Sequence, residues 1–245
     1  MSEKYTFKIL RFDPQKGEAP YWQSYEVPKL KESGMSVLDG LIYIQQYLDG
    51  SLGFRTSCRA GVCGSCAMHI AGTYRLACET QIEPLHTNTI TIRPLSHVPI
   101  IKDLVVDMTP FYEKYEKIKP YLMPGTNDVS AEHERLQSRA DRQKLDNIID
   151  CILCGACYAS CPMTAADPEY LGPAALMKAN RFVVDSRDDN VGERLQIVGD
   201  EHGIFRCHTA FNCTEVCPKH LDPAGSIANL KRKHLSVKIL KVRPQ

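Results

Sequence analysis

The apolar and polar positions of this chain follow two different periods, and the change comes about midway. Residues 6–12, TFKILRF, alternate like a half-buried strand, and residues 22–29, WQSYEVPK, read as its partner across a turn containing Pro and Gly. Residues 36–49, SVLDGLIYIQQYLD, switch to helical spacing, with Leu38, Leu41, Ile42 and Leu48 on one face. Ser36 is placed as an N-cap, and Asp39 completes an approximate capping box. AMHIAGTYRLAC (67–78) reads as a hairpin turning at Ala71-Gly72, and TNTITIRPL (87–95) as a closing strand. Residues 1–97 thus form one mixed unit, and 98–125 a connector punctuated by Pro99, Pro110, Pro120 and Pro124. From 126 to 245 the pattern is helical: a polar, charged stretch at 128–150, then GPAALMKANRFVVDSRD, then VGERLQIVGD. A last helix starts near Asp222-Pro223, where proline suits the first turn.

Length and charge narrow the field without deciding it. A chain of 245 residues can build two modest cores. With 24 % charged residues and a formal net charge of +1, bulk electrostatics give no reason to expect nucleic acid or an acidic partner. No apolar run is long enough to span a bilayer, and MSEKYTFKIL lacks the layout of a signal peptide. The expectation is a soluble chain on the cytoplasmic side.

The eleven cysteines change the picture. They fall in three groups, at 58, 63, 66 and 78, at 151, 154, 157 and 161, and at 207, 213 and 217, with none outside. In a reducing compartment such clustering points to metal ligands and not to bridges. The first group has the spacing C-x4-C-x2-C with a distant fourth cysteine, that of a plant-type [2Fe–2S] site. Two irons bridged by two sulfides need two thiolates each, and Gly61 and Gly64 let backbone N–H groups turn toward the sulfurs. A structural zinc site is the alternative, since four sulfurs suit zinc too. Zinc ribbons, however, pair two short knuckles, and Cys78 has no nearby cysteine. Arg55 and Arg59 beside the loop read equally as partner contacts or as solvated counter-charges.

CILCGACYASCP (151–162) is a complete C-x2-C-x2-C-x3-C-P run, whose fourth cysteine crosses to a second cluster. CHTAFNCTEVCP (207–218) is the same run with Ala210 at the second position. Crossing both runs assigns Cys151, Cys154, Cys157 and Cys217 to a [4Fe–4S] cluster. Cys161, Cys207 and Cys213 are left for a cluster with three thiolates, which matches [3Fe–4S]. The alternative is a fourth iron held by water or hydroxide, which a small apolar side chain at 210 would tend to exclude. His208, adjacent to Cys207, is placed as a hydrogen-bonding group and not as a ligand.

There is no G-x-G-x-x-G, P-loop or G-x-S-x-G motif, so the chain reads as an electron wire between partners. The three motifs in this order, SCRAGVCGSCAMHIAGTYRLAC, CILCGACYASCP and CHTAFNCTEVCPKHLDP, resemble the iron–sulfur subunit of succinate dehydrogenase and fumarate reductase over nearly the whole chain. That resemblance implies an α+β protein, with an N-terminal β-grasp plant-type ferredoxin domain followed by an all-α bacterial-ferredoxin-like domain. It implies a flavoprotein partner carrying FAD, and a membrane anchor with a quinone site and often haem b, which holds the chain at the cytoplasmic face. Pro162, His208 and Ala210 take the positions of the quinone pocket. The family's ubiquinone enzymes carry a tryptophan shortly after the C-P pair, where this chain has MTAAD; its only tryptophan is Trp22. That departure admits menaquinone or a reshaped pocket. DPEYLGPAAL is similar to fumarate reductases and the CH pair at 207–208 to succinate dehydrogenases, which leaves direction open. A soluble ferredoxin-like carrier is the reading from another class. The basic C-terminus, with Lys231, Arg232, Lys233, Lys238, Lys241 and Arg243, suits either a headgroup surface or plain solvent.

Overall fold

A computed structural model describes residues 4–17, 19–29, 34–124 and 134–240, with the side chains of 238–240 excepted. The chain divides into two compact units, Met1–Met108 with Ile152–Ser160, and Thr109–Cys151 with Cys161–Gln245.

The first unit is built on strands β1 (Lys4–Arg11) and β2 (Tyr21–Pro28), followed by helix α1 (Val37–Tyr43). Then come the hairpin β3 (Ala67–Ile70) and β4 (Thr73–Leu76), and β5 (Thr89–Arg93). The sheet order is β2-β1-β5-β3-β4, with β1 and β5 parallel and the other neighbours antiparallel. The alternation in β1 turns Phe7 and Ile9 inward, both fully buried. Helix α1 lies close on this face: a Cβ on Gly40 would stand 2.1 Å from Phe7 Cζ. The Ser36–Asp39 capping box is formed as the sequence predicts. After Tyr43 the helix widens into one π-type turn, Ile44–Leu48, which the 3.6-residue period does not anticipate. The hairpin turns at Ala71 (φ 47°) and Gly72 (φ 90°), a left-handed pair suited to a two-residue turn.

At the end of β1 the buried Arg11 gathers the unit's polar side chains. Its guanidinium donates to Asp103 (2.9 Å), Asp49 (2.7 Å), Gln23 (2.8 Å) and Ser51 (3.0 Å). Asp103, itself buried, also accepts from the backbone N–H groups of Phe12 and Gly53 at 3.0 and 2.8 Å. The stretch read as a connector is more ordered than its prolines indicate. It carries a short ribbon, β6 (Ile100–Lys102) and β7 (Val105–Val106), and helix α2 (Thr109–Lys117), in which Pro110 occupies the first turn and so does not break it.

The second unit is helical. Of the charged stretch 128–150, residues 128–133 lie outside the described residues; the rest gives only helix α3 (Arg139–Gln143) and one 3-10 turn, because it has no apolar stripe to bury. Short helix α4 (Ala156–Ala159, in the first unit) lies within the cysteine run, and α5 (Pro162–Ala166) begins at its closing proline. Helix α6 (Gly172–Val183) is apolar almost all round and buried along nearly its whole length. It packs against α2, against α7 (Val191–Val198) and, after the short α8 (Asn212–Glu215), against the long α9 (Pro223–Leu240). Arg194 on α7 is buried too, paired with Asp188 at 2.6 Å and donating to the carbonyls of Ile118, Lys119 and Tyr121. Among the described residues no helix is long and apolar enough to cross a membrane. Lys231, Arg232 and Lys233 lie on α9; the Lys238 side chain, Lys241 and Arg243 lie outside the described residues.

Candidate metal centres

No disulfide joins any of the eleven cysteines. The first group lies entirely in the first unit. Cys66 stands just before β3 and Cys78 just after β4, so pairing of Ala67 with Leu76 brings them side by side, and Ala77 N–H donates to the Cys66 carbonyl at 3.1 Å. Cys66 is buried, while Cys58 and Cys63 lie in the exposed loop above. That loop turns through left-handed backbone at Arg59 (φ 57°), Gly61 (φ 66°) and Gly64 (φ 73°). Its turning aims the N–H groups of Ala60, Val62 and Cys63 at Cys58 Sγ, at 3.4, 3.3 and 3.3 Å. Three backbone donors thus converge on one sulfur, the kind of hydrogen bonding that tunes an iron–sulfur cluster. Hydrogen bonding from Ser65, then from the backbone around Cys58 and Ser65, pulls the Cys63 thiol down to about 6. Burial, followed by the neighbouring Cys78, pushes the Cys66 thiol up to about 12. The all-sulfur donor set, ringed by amide donors, fits a plant-type cluster.

Gly61 and Gly64 are needed for contact as well as for φ. A Cβ on Gly61 would stand 2.0 Å from Glu79 Oε1, and one on Gly64 would stand 2.8 Å from Cys154 Cβ. Cys154 and Cys157 belong, with 152–160, to the first unit, whereas Cys151 and Cys217 belong to the second. Within this run the backbone is again left-handed at Leu153 (φ 53°) and Gly155 (φ 81°), the residue that opens α4.

Cys161, Cys207 and Cys213 all lie in the second unit and line one narrow cleft. Pro162, His208 and Ala210 line the same cleft, so the structure gathers all six residues that the sequence placed at this end. Cys161 caps the start of α5, Cys207 ends a 3-10 turn, and Cys213 sits in α8. The loop between the last two is left-handed at Thr209 (φ 58°) and Phe211 (φ 61°). Lys231 of α9 steadies it by donating to the Cys207 carbonyl at 2.9 Å. Burial, then the nearby Cys161 thiol, pushes Cys213 up to about 11, and burial raises Cys161 likewise. His208 and Ala210 are exposed at the rim beside Phe211, which is 51 % exposed. Deep in the cleft stands Tyr170, whose buried hydroxyl has no hydrogen-bond partner among the described atoms. An orphaned donor facing three thiols is what a sulfur-rich group in the cleft would satisfy. Sequence reasoning passed over Tyr170 and Phe211. The signal for Tyr170 was a lone polar aromatic in the otherwise apolar stretch YLGPAALM. Among the described residues no three His, Cys, Asp or Glu side chains are grouped to hold one metal ion.

Comparison with known proteins finds iron–sulfur domains over the stretches that hold these cysteines. Residues 6–113 match the family of 2Fe-2S iron-sulfur cluster binding domains, and residues 147–221 match that of 4Fe-4S dicluster domains. The two matches name iron–sulfur chemistry where the cysteines alone left zinc open. Among solved structures, a chain of the Mycobacterium smegmatis Sdh1 complex in the apo form superposes with a TM-score of 0.86 at 27 % identity, covering 97 % of this chain and 98 % of that one. A hypothetical protein from Helicobacter pylori superposes over 100 % of this chain and 42 % of its own, with a TM-score of 0.57 and 18 % identity, a likeness of fold alone. With both domains matched in order, and nearly the full length superposed on that one chain, this chain belongs to the iron–sulfur subunits of the succinate dehydrogenase and fumarate reductase family.

Proposed function

We propose that the chain is the electron-carrying subunit of a succinate:quinone oxidoreductase and does not itself oxidise succinate. The observation that carries this reading is the single cleft lined by Cys161, Cys207, Cys213, Pro162, His208 and Ala210. Cys58, Cys63, Cys66 and Cys78 would hold a [2Fe–2S] cluster, and Cys151, Cys154, Cys157 and Cys217 a [4Fe–4S] cluster. Cys161, Cys207 and Cys213 would hold a [3Fe–4S] cluster. When bound, these clusters supply the one-electron steps that join a two-electron flavin to a two-electron quinone.

The chain's own residues divide that work. The exposed loop with Arg55 and Arg59 is the face for a flavoprotein carrying FAD, since its Cys58 and Cys63 reach the surface. The rim of the cleft, with exposed His208, Ala210 and Phe211, is the face for quinone and a membrane anchor. Ala210 offers no ligand, so a cluster there would be held by three thiolates. In this arrangement the chain sits peripherally on the cytoplasmic side of the membrane, held by that anchor.

Electron paramagnetic resonance tests the reading. An oxidised three-iron cluster is paramagnetic and an oxidised low-potential four-iron cluster is silent, so the air-oxidised, fully loaded protein should show a signal. Ala210→Cys should admit a fourth iron, remove that signal and slow quinone reduction in the isolated complex. A silent wild-type spectrum from an iron-replete sample would sink the three-iron assignment.

A further inference from the structure

Tyr170 is fully buried, and its hydroxyl makes no regular hydrogen bond, the Cys207 thiol alone coming within hydrogen-bonding reach of it. Its place is fixed on both sides by backbone hydrogen bonds. Its own N–H donates to the Asp167 carbonyl at 3.2 Å, and the next residue, Leu171, donates to the His202 carbonyl at 2.9 Å. Asp167 is in turn held by His202 Nδ1 at 2.9 Å and faces Arg206 Nε at 3.2 Å. The ring therefore cannot easily swing its hydroxyl out to water. The groups close enough to act on it are the thiols of Cys207, Cys161 and Cys213; with burial they hold it firmly protonated. A phenylalanine would fill the same space without stranding a polar atom, so the hydroxyl has a use that an apolar ring lacks.

We propose that Tyr170 Oη donates a hydrogen bond to sulfur of the cluster held by Cys161, Cys207 and Cys213, either Cys207 Sγ or a bridging sulfide, and thereby raises that cluster's reduction potential. The proposal rests on the three-iron reading above. Its direction follows from charge. Reduction adds an electron to the cluster, its sulfurs become better acceptors, and a donor aimed at them strengthens its bond to the reduced form. Tyr170 is then a positioning residue that makes the last carrier before the cleft mouth easier to reduce. It does so from inside the protein, where no exchange of quinone or anchor would alter it.

The test uses the complete chain with its clusters loaded, followed by a redox titration read by electron paramagnetic resonance. In Tyr170→Phe the ratio of reduced to oxidised three-iron cluster at a fixed potential should fall about tenfold, a downward shift of about 59 mV for one electron. The [2Fe–2S] potential should not move. In the wild type, proton double resonance on the oxidised cluster should show a coupled proton that exchanges into deuterium oxide, and Tyr170→Phe should lack it. A normal three-iron signal with an unchanged potential in Tyr170→Phe overturns the proposal and leaves the cluster assignment standing. An iron-replete wild type with no three-iron signal overturns both. Should Tyr170→Phe fail to fold, the wild-type spectrum decides alone, since absence of any exchangeable coupled proton is incompatible with this hydrogen bond.

Discussion

The loop of Cys58 and Cys63 and the cleft of Cys161, Cys207 and Cys213 offer the same ligand atom in opposite surroundings. The loop is exposed, with three backbone N–H groups on Cys58 Sγ and the Ser65 side chain on Cys63. The cleft is buried at Cys213; backbone N–H groups of Met163 and Thr164 meet Cys161, Thr214 meets Cys213, and a buried side chain, Tyr170, faces the thiols. Even the left-handed backbone differs. The loop uses two glycines, with Arg59, while the cleft uses Thr209 and Phe211, residues for which that conformation costs about 1–3 kcal/mol. Exposure and hydrogen bonds to sulfur are the levers by which a protein spreads cluster potentials. The same ligand atom can thus serve unlike carriers because of what surrounds it. Main-chain donors in both regions are set by the local backbone, whereas exposed Ser65 in the loop and buried Tyr170 in the cleft can be changed one residue at a time.

The sharpest way to separate the two regions is to remove the anchor of the first. Asp103 pairs with buried Arg11 and caps the N–H of Gly53, on the approach to Cys58. Asp103→Ala leaves Arg11 short of one of its two carboxylates, and breaking such a buried pair costs about 3–5 kcal/mol. In mild denaturant the [2Fe–2S] signal should vanish well before that of wild type, with the three-iron signal retained. Joint loss of both signals would show that the regions do not stand independently. A smaller effect tests the loop itself. Gly64→Ala adds left-handed strain of about 1–3 kcal/mol and a contact at 2.8 Å from Cys154 Cβ, which cannot retreat like a side-chain tip. Gly61→Ala meets the mobile end of Glu79 instead. Visible absorbance and iron content should therefore fall further in Gly64→Ala than in Gly61→Ala, and equal loss would mean that φ alone matters.

Much of this was legible in the sequence because cluster ligands are local. Three cysteines at C-x4-C-x2-C must lie in one loop, and the Ala71-Gly72 turn had to bring the fourth, Cys78, back beside Cys66. Strands and the Ser36 cap followed from period and capping chemistry. Helix α2 did not, because Pro110 reads as a breaker until its place in the first turn is known. The π-type turn at Ile44–Leu48 has no sequence period of its own. Tyr170 was hidden for another reason. It lies nine residues past Cys161, and only the folded chain shows that its hydroxyl lacks a partner.

The smallest expected effect is one of pH, and it is confined to one of the regions. His202 is raised above its ordinary value, first by its hydrogen bond with Asp167 and then by the charges of Asp167, Glu169 and Glu201, against a small opposing cost of burial. Asp167 is correspondingly lowered, by His202 first and then, against burial, by Glu169 N–H and the charge of Arg206, so it stays ionised across the neutral range. A raised folded value means that the stabilisation is fully present below about pH 6.5, the unfolded value, and is lost as pH rises through the folded one. The group is exposed to solvent, so the loss is small and falls further with salt. It should appear where the pair acts, at the Leu171 N–H bonded to the His202 carbonyl at 2.9 Å. Corrected for its intrinsic pH dependence, exchange of that amide should quicken above neutrality. Ala77 N–H, bonded to Cys66 in the first region, should show no such change. His202→Gln should make exchange at Leu171 fast and independent of pH across the same window. If both amides respond alike, the titration belongs to the whole molecule and the two sulfur environments are not insulated from each other.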